Sequence, residues 1–259
     1  MNDLLRQAFR QLHLSGLAQS LDVRLQEARG NNLNHEEFLE LILQDELNIR
    51  QQRLIERRRK SAQFRDTRTL EDFDFAFNPS IKRKQIYDLA TGQFIREARD
   101  VLFIGPPGIG KSHLAQALGY QAIKMGFCVL YRSVFDVVRE LLADEAVKGA
   151  DRIIHKYLKP QLLIIDDMGL KILPKQSGEY LFEIIMRRYE NRSTIMTSNR
   201  LSRNGENSSA MCPRPPPSLT VFSIMPRSSR SPAKVTGLKI ALAETRKMIN
   251  YNSTSSGGF

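Results

Sequence analysis

An α/β fold, in which helices cover a parallel sheet and a small all-α domain precedes it, is what this sequence predicts. Three observations lead there. Residues 1–62 carry apolar side chains at helical spacing and contain almost no chain breakers. Residues 101–200 alternate short apolar runs with helical stretches, the pattern of strands joined by crossover helices. Finally, the run Val101-Leu102-Phe103-Ile104 leads straight into a glycine-rich turn and then a helix.

In the N-terminal domain, 1–62, Leu4, Leu5, Phe9 and Leu12 recur at helical spacing, as do Leu17, Leu21 and Leu25. Gly30-Asn31-Asn32 interrupts them. Asn34 with Glu37 three residues later is a capping box, opening a long helix through Phe38, Leu41, Ile42 and Leu47. That helix closes in a basic run, Arg53, Arg57, Arg58, Arg59 and Lys60, with Arg50, Arg53 and Arg57 near one face. The run suits the phosphates of DNA, and it suits the solvated face of a helix equally well. Residues 63–100 read as a connector. Phe73, Phe75 and Phe77 alternate as in a short extended segment closed by Pro79, and 86–96 reads as an amphipathic helix with Gly92 as a break.

The apolar runs of the core, 101–200, are 101–104, 127–131, 162–165 and 194–196. After the first stands Gly105-Pro106-Pro107-Gly108-Ile109-Gly110-Lys111-Ser112, which fits G-x-x-x-x-G-K-[ST] between a strand and a helix opening at His113. Glycines let such a backbone turn tightly and aim its N–H groups at phosphate oxygens, and the helix adds its positive N-terminal end. These eight residues and His113 are the candidate nucleotide-binding set. Lys111 is expected to reach the β- and γ-phosphates and the Ser112 hydroxyl to hold Mg²⁺. The third run ends in Asp166-Asp167, which puts two carboxylates at the carboxyl edge of the sheet, where such folds bind ligands. Asp166 is expected to bind Mg²⁺ directly or through water, and Asp167 is placed to orient or deprotonate an attacking water. The fourth run ends in Thr197-Ser198-Asn199. Asn199 either contacts the γ-phosphate or the lytic water or simply forms a turn.

The totals narrow the function classes. A formal charge of +11 attracts polyanions, nucleic acid first among them. Cys128 and Cys212 make no disulfide framework and suit a reducing cytoplasm. The start, Met1-Asn2-Asp3, does not read as a signal peptide, and no apolar run approaches the roughly 20 residues of a membrane span. His13, His35, His113 and His155 are scattered, so no zinc site is expected.

Together these blocks resemble the IstB-like family, transposition helpers of one insertion-sequence group, and they look like the related bacterial helicase loaders. The carriers are Phe73-Asp74-Phe75, the block 101–112, the block 162–169 including "IIDDMG", and "STIMTSNR" at 193–200, and the similarity covers residues 1–200. Asp167 departs from the general AAA+ pattern, which has Glu there, but Asp is common among these helpers. The resemblance implies a P-loop NTPase core of AAA+ type that uses ATP and Mg²⁺ and self-associates on double-stranded DNA in an ATP-dependent way. It further implies recruitment and stimulation of a transposase, in the cytoplasm and away from membranes. A helicase-loader-type ATPase, and a remnant that binds ATP and DNA without hydrolysis, are the alternatives. The helical N-terminal domain and the lack of a recognisable acceptor-binding lid argue against a small-molecule kinase.

From Leu201 the composition changes, and six of the eleven prolines fall between Pro213 and Pro232. The family resemblance calls instead for an α/β ending that carries an arginine directed at a neighbour's ATP. If the first two bases of each codon become the last two of a new one, permitted codons after Ala210 yield DVPAATAILDRFLHHAEVIAITGKGYRLK. That string has helix and strand periodicity and resembles the family's ending. The expectation is therefore a change of reading frame close to Arg200, with 201–259 an aberrant tail lacking order and the arginine of "LDRF" lost.

Overall fold

The computed structural model describes residues 3–78, 81–145, 151–168, 175–189, 191–199 and 220–224. The chain divides after Arg58 into two compact units.

In the first unit, α1 (Asp3–Gln11), α2 (Ser15–Gly30) and the start of α3 (His35–Ala62) share a small core of Leu17, Leu21 and Ile42. Phe9, Leu14, Leu25 and Phe38 pack around it. The capping box forms as read: Asn34 N–H donates to Glu37 Oε2 and Glu37 N–H to Asn34 Oδ1, each at 2.9 Å. The start of α2 is capped from elsewhere. The buried carboxylate of Glu46, on α3, accepts the N–H groups of Gly16 (2.6 Å) and Leu17 (3.0 Å) and is balanced by Arg50 at 2.7 Å. A side chain at Gly16 would meet Glu46 backbone at 2.9 Å, so only glycine allows this approach.

The second unit begins with the connector. The Phe73–Phe77 segment is not a strand, contrary to its alternation. Asp74 Oδ1 accepts the N–H groups of Ala76 (2.8 Å) and Phe77 (3.3 Å), which bends the chain. Next come α4 (Arg83–Ala90) and α5 (Gln93–Arg96), separated at Gly92, whose φ of +71° is easy only for glycine.

The sheet contains β1 (Asp100–Ile104), β2 (Val129–Ser133), β3 (Leu162–Met168), β4 (Ser193–Ser198) and β5 (Thr220–Ile224) in the spatial order β2-β3-β4-β1-β5. The first four are mutually parallel; β5 joins β1 antiparallel. Thus a segment of the tail, where no order was expected, forms an edge strand. Thr-Val-Phe-Ser-Ile is rich in β-formers, and β1 would otherwise present an open edge.

Strand alternation divides the core in two. Leu102, Ile104, Leu130, Leu163, Ile165 and Met196 pack with α7 (Val134–Glu145), α8 (Asp151–Leu158) and α9 (Lys175–Arg188). The alternate residues, including Val101, Phe103, Tyr131, Ile164 and Ile195, are also buried. They belong to the face covered by α6 (Lys111–Lys124), where a side chain at Gly119 would meet Ile164 at 2.6 Å.

Arg188 at the end of α9 is fully buried and staples this layer. It donates to the carbonyls of Tyr157 (2.8 Å), Pro160 (2.9 Å) and Ser193 (2.6 Å) and to Thr194 Oγ1 (3.2 Å). Nearby, Asp100 accepts the Thr194 N–H at 2.7 Å. Burial pushes the Asp100 carboxyl up to about 6, against the opposing pull of that N–H and of the Arg188 charge.

Two outcomes are expected. Arg188→Met leaves its carbonyl partners buried without a donor and lowers stability by about 3–5 kcal/mol, read from the urea midpoint. The raised Asp100 pKa means the folded chain holds a proton that the unfolded chain releases, so this group favours folding at low pH. Its contribution is lost as pH rises from about 4 through about 6. Relative to Asp100→Asn, the protein should lose about 2–3 kcal/mol across that window; parallel pH profiles of the two would remove this assignment.

Candidate functional site

Because β1, β3 and β4 are parallel, their carboxyl ends lie on one edge, with Ile104 and Met168 both registered on Ser198. The glycine-rich loop leaves β1 at this edge and runs into α6. Gly108 and Gly110 take φ of +84° and +90°, and nothing lies within 4 Å of where a Gly108 side chain would begin. The loop therefore turns through conformations open to glycine and leaves room over its backbone. Lys111 starts α6 and is 5% exposed, with its Nζ on the carbonyls of Gly105 (2.9 Å) and Pro106 (2.7 Å). Burial pushes its ammonium pKa down, against the charges of Asp166 and Asp167. Ile109 is buried and fastens the middle of the loop.

Asp166 lies on the α6 face of β3 by strand alternation and is fully buried. Its Oδ1 accepts from Ser112 Oγ at 2.9 Å and from Thr197 Oγ1, and its Oδ2 accepts from Tyr131 OH at 2.5 Å. Three hydroxyls from α6, β2 and β4 thus converge on one carboxylate. Burial, then the bond to Asp166, pushes the Tyr131 phenol well above its ordinary value, so it remains a donor. A hard cation such as Mg²⁺ takes oxygen ligands, and the Ser112 hydroxyl beside the Asp166 carboxylate is such a set. The donors fit the ion.

Past Asp166 the β3–β4 register shifts, and Asp167 takes φ of +64°, the left-handed region that costs a non-glycine residue energy. Its N–H donates to Thr197 Oγ1 at 3.0 Å, and its Oδ2 pairs with Arg65 at 3.1 Å. This turn directs the two consecutive acids to different partners. Asn199 follows β4, and its N–H donates to the Met168 carbonyl at 3.4 Å, holding it at the same edge.

The connector covers the loop. A side chain on Gly110 would strike the Phe73 ring at 2.5 Å, and Phe73 stands edge-on to His113 at 5.1 Å. His113 Nε2 lies 3.0 Å from the Thr69 carbonyl. His113 thus faces the connector.

Of the residues read from sequence, the loop, Lys111, Ser112, Asp166, Asp167 and Asn199 come to one edge. Arg53 donates to Ser15 Oγ, Arg59 donates to Thr67 Oγ1 at 2.8 Å, and Arg57 is exposed while Arg58 is half-buried. Lys60 is exposed. Sequence reasoning missed Tyr131, Thr197 as a partner of Asp166, Arg65 and Phe73. Thr197 had a signal in its strand-end position; Tyr131 had none short of the register, and Arg65 none short of the connector's path.

Among the described residues no helix is long and apolar enough to cross a membrane. The profile of the IstB-like ATP binding proteins matches residues 7–206, stopping close to the change of composition at Leu201. The ATP-binding protein of insertion sequence IS5376 from Geobacillus stearothermophilus is 34% identical over 77% of this chain and 80% of its own length. That of IS21 from Pseudomonas aeruginosa is 37% identical over 73% of this chain and 70% of its own. Among solved structures, the DnaC helicase loader is similar over 47% of this chain and 70% of its own, at 26% identity and a TM-score of 0.42. On the profile and the sequence relatives, this chain belongs to the family of IstB-like ATP-binding proteins.

Proposed function

We propose that the chain binds ATP with Mg²⁺ at this edge and hydrolyses it while assembling on double-stranded DNA as the helper of a transposase. The observation that carries the reading is the Ser112–Asp166 contact, an oxygen donor set at the end of a loop shaped to receive phosphate. Membership of the IstB-like family and the insertion-sequence names of its relatives support the transposition role. The charge of +11 supports binding to DNA.

In this reading the backbone of 105–110 cradles the phosphates and Lys111 exchanges its loop carbonyls for phosphate oxygens. Ser112 and Asp166 hold Mg²⁺, which when bound neutralises phosphate charge. Tyr131 and Thr197 keep the Asp166 carboxylate oriented toward Ser112. Asp167 holds or deprotonates the attacking water, and Asn199 lies at the same edge to orient that water or the terminal phosphate. The alternative, a remnant that binds ATP without turnover, is favoured by the tail, because the arginine of the expected ending is absent.

Two measurements bear on this. ATP hydrolysis is followed with and without duplex DNA for the chain as it stands, for a version with the alternative frame after Arg200, and for Lys111→Ala as the blank. Turnover above the blank in the alternative-frame protein supports the helper reading; no turnover above it in either protein removes hydrolysis from the proposal. Tyr131→Phe should raise the Mg²⁺ concentration needed for ATP binding several-fold, because one oxygen of Asp166 loses its anchor. An unchanged Mg²⁺ dependence would leave Tyr131 a packing residue only.

A further inference from the structure

Arg65 belongs to no part of the loop and to no strand, yet it is the partner of Asp167. Its neighbours in the chain are fastened to the helix that follows the loop. Asp66 N–H donates to Gln116 on α6 at 3.2 Å, and the Phe64 ring lies 6.0 Å from that of Tyr131 and against Gly119. The backbone of Arg65 is therefore positioned, while its side chain remains 52% exposed and, among the described residues, pairs with Asp167 alone, at 3.1 Å.

The surroundings single this cation out. Arg65 also lines an open cavity of about 490 Å³ with Tyr131, Arg132, Arg139 and Lys156. There Arg132 (3.0 Å) and Lys156 (2.5 Å) are paired with Glu140, and Arg139 lies 3.5 Å from Asp136. Arg65 alone among these pairs with an acid of the nucleotide site. A half-exposed, single-contact ion pair is weak, whereas a guanidinium binds phosphate oxygens through paired, charge-assisted hydrogen bonds. A terminal phosphate brought to this edge would be repelled by Asp167 and attracted by Arg65.

We propose that Arg65 selects nucleoside triphosphate over diphosphate: with a terminal phosphate present its guanidinium leaves Asp167 for that phosphate, and the Asp167 carboxylate is released. The proposal rests on the reading of 105–112 as the ATP site. It makes Asp167 free to act only when a triphosphate is there to be cleaved.

The test is calorimetric titration of the full chain with Mg²⁺ and either ADP or β,γ-methylene ATP, a triphosphate that is not hydrolysed. Arg65→Ala should weaken the triphosphate analogue about tenfold and ADP less than about twofold, the worth of a charge-assisted contact. Arg65→Lys should recover part of the loss. Asp167→Ala should tighten the analogue in the parent chain, by freeing Arg65, and have no such effect when Arg65→Ala is already present. Equal losses for both nucleotides, or none, or additive effects of the two substitutions, overturn the role given to Arg65 and leave the ATP site standing. If neither nucleotide binds, or if Lys111→Ala binds both as well as the parent does, the ATP site and the Arg65 proposal fall together.

Discussion

A carboxylate that is fully buried must be met by donors, and the rest of this site is arranged around that requirement at Asp166. Three neutral hydroxyls meet it, from Ser112, Tyr131 and Thr197. Neutral donors satisfy the oxygens without cancelling the charge, so the position remains attractive to a cation. The same bonds tie the start of α6, the outer strand β2 and the end of β4 to the end of β3. The parallel register makes this possible: Tyr131 pairs with Ile164, which sets its phenol diagonally from Asp166 on one face of the sheet.

Close approach is the second constraint. Gly110 yields to the Phe73 ring and Gly119 to Phe64 and Ile164, so the start and the middle of α6 are reached by connector residues far away in sequence. Thr69 and Asp66 add polar contacts to His113 and Gln116. The connector is thus a cover for the loop as well as a link. Its cost is specificity of sequence at the glycines, since any Cβ there would displace an aromatic ring.

Local spacing therefore divides the features legible in the sequence from those that were not. The four parallel strands, the loop, the Asn34–Glu37 capping box and the break at Gly92 were legible because each depends on spacing within a few residues. The Phe73–Phe77 alternation misled because one Asp74 side chain, by accepting two N–H groups, outweighs a period-two pattern with no neighbouring strand. Tyr131, Arg65 and Glu46 were not legible. Their roles depend on which strand or helix lies beside them, and a tyrosine, an arginine or a glutamate in isolation looks like surface. Glu46 shows the limit well: it caps α2 from 29 or 30 residues away, while the local cap position, Leu14, offers no side-chain hydrogen bond.

The strand β5 separates two questions that the tail had joined. The outer edge of β1 offers a row of N–H and C=O groups, and a short β-forming segment satisfies them in either direction. Antiparallel pairing of Thr220–Ile224 with Asp100–Ile104 therefore closes the edge. Closure of the sheet protects β1, and with it the exit of the loop. The arginine that the family resemblance implies for the usual ending is a different requirement, because backbone hydrogen bonds do not supply a guanidinium. Every group assigned here to phosphate and Mg²⁺ lies before Arg200. All of them fall within residues 7–206, the part of the chain that the family profile matches.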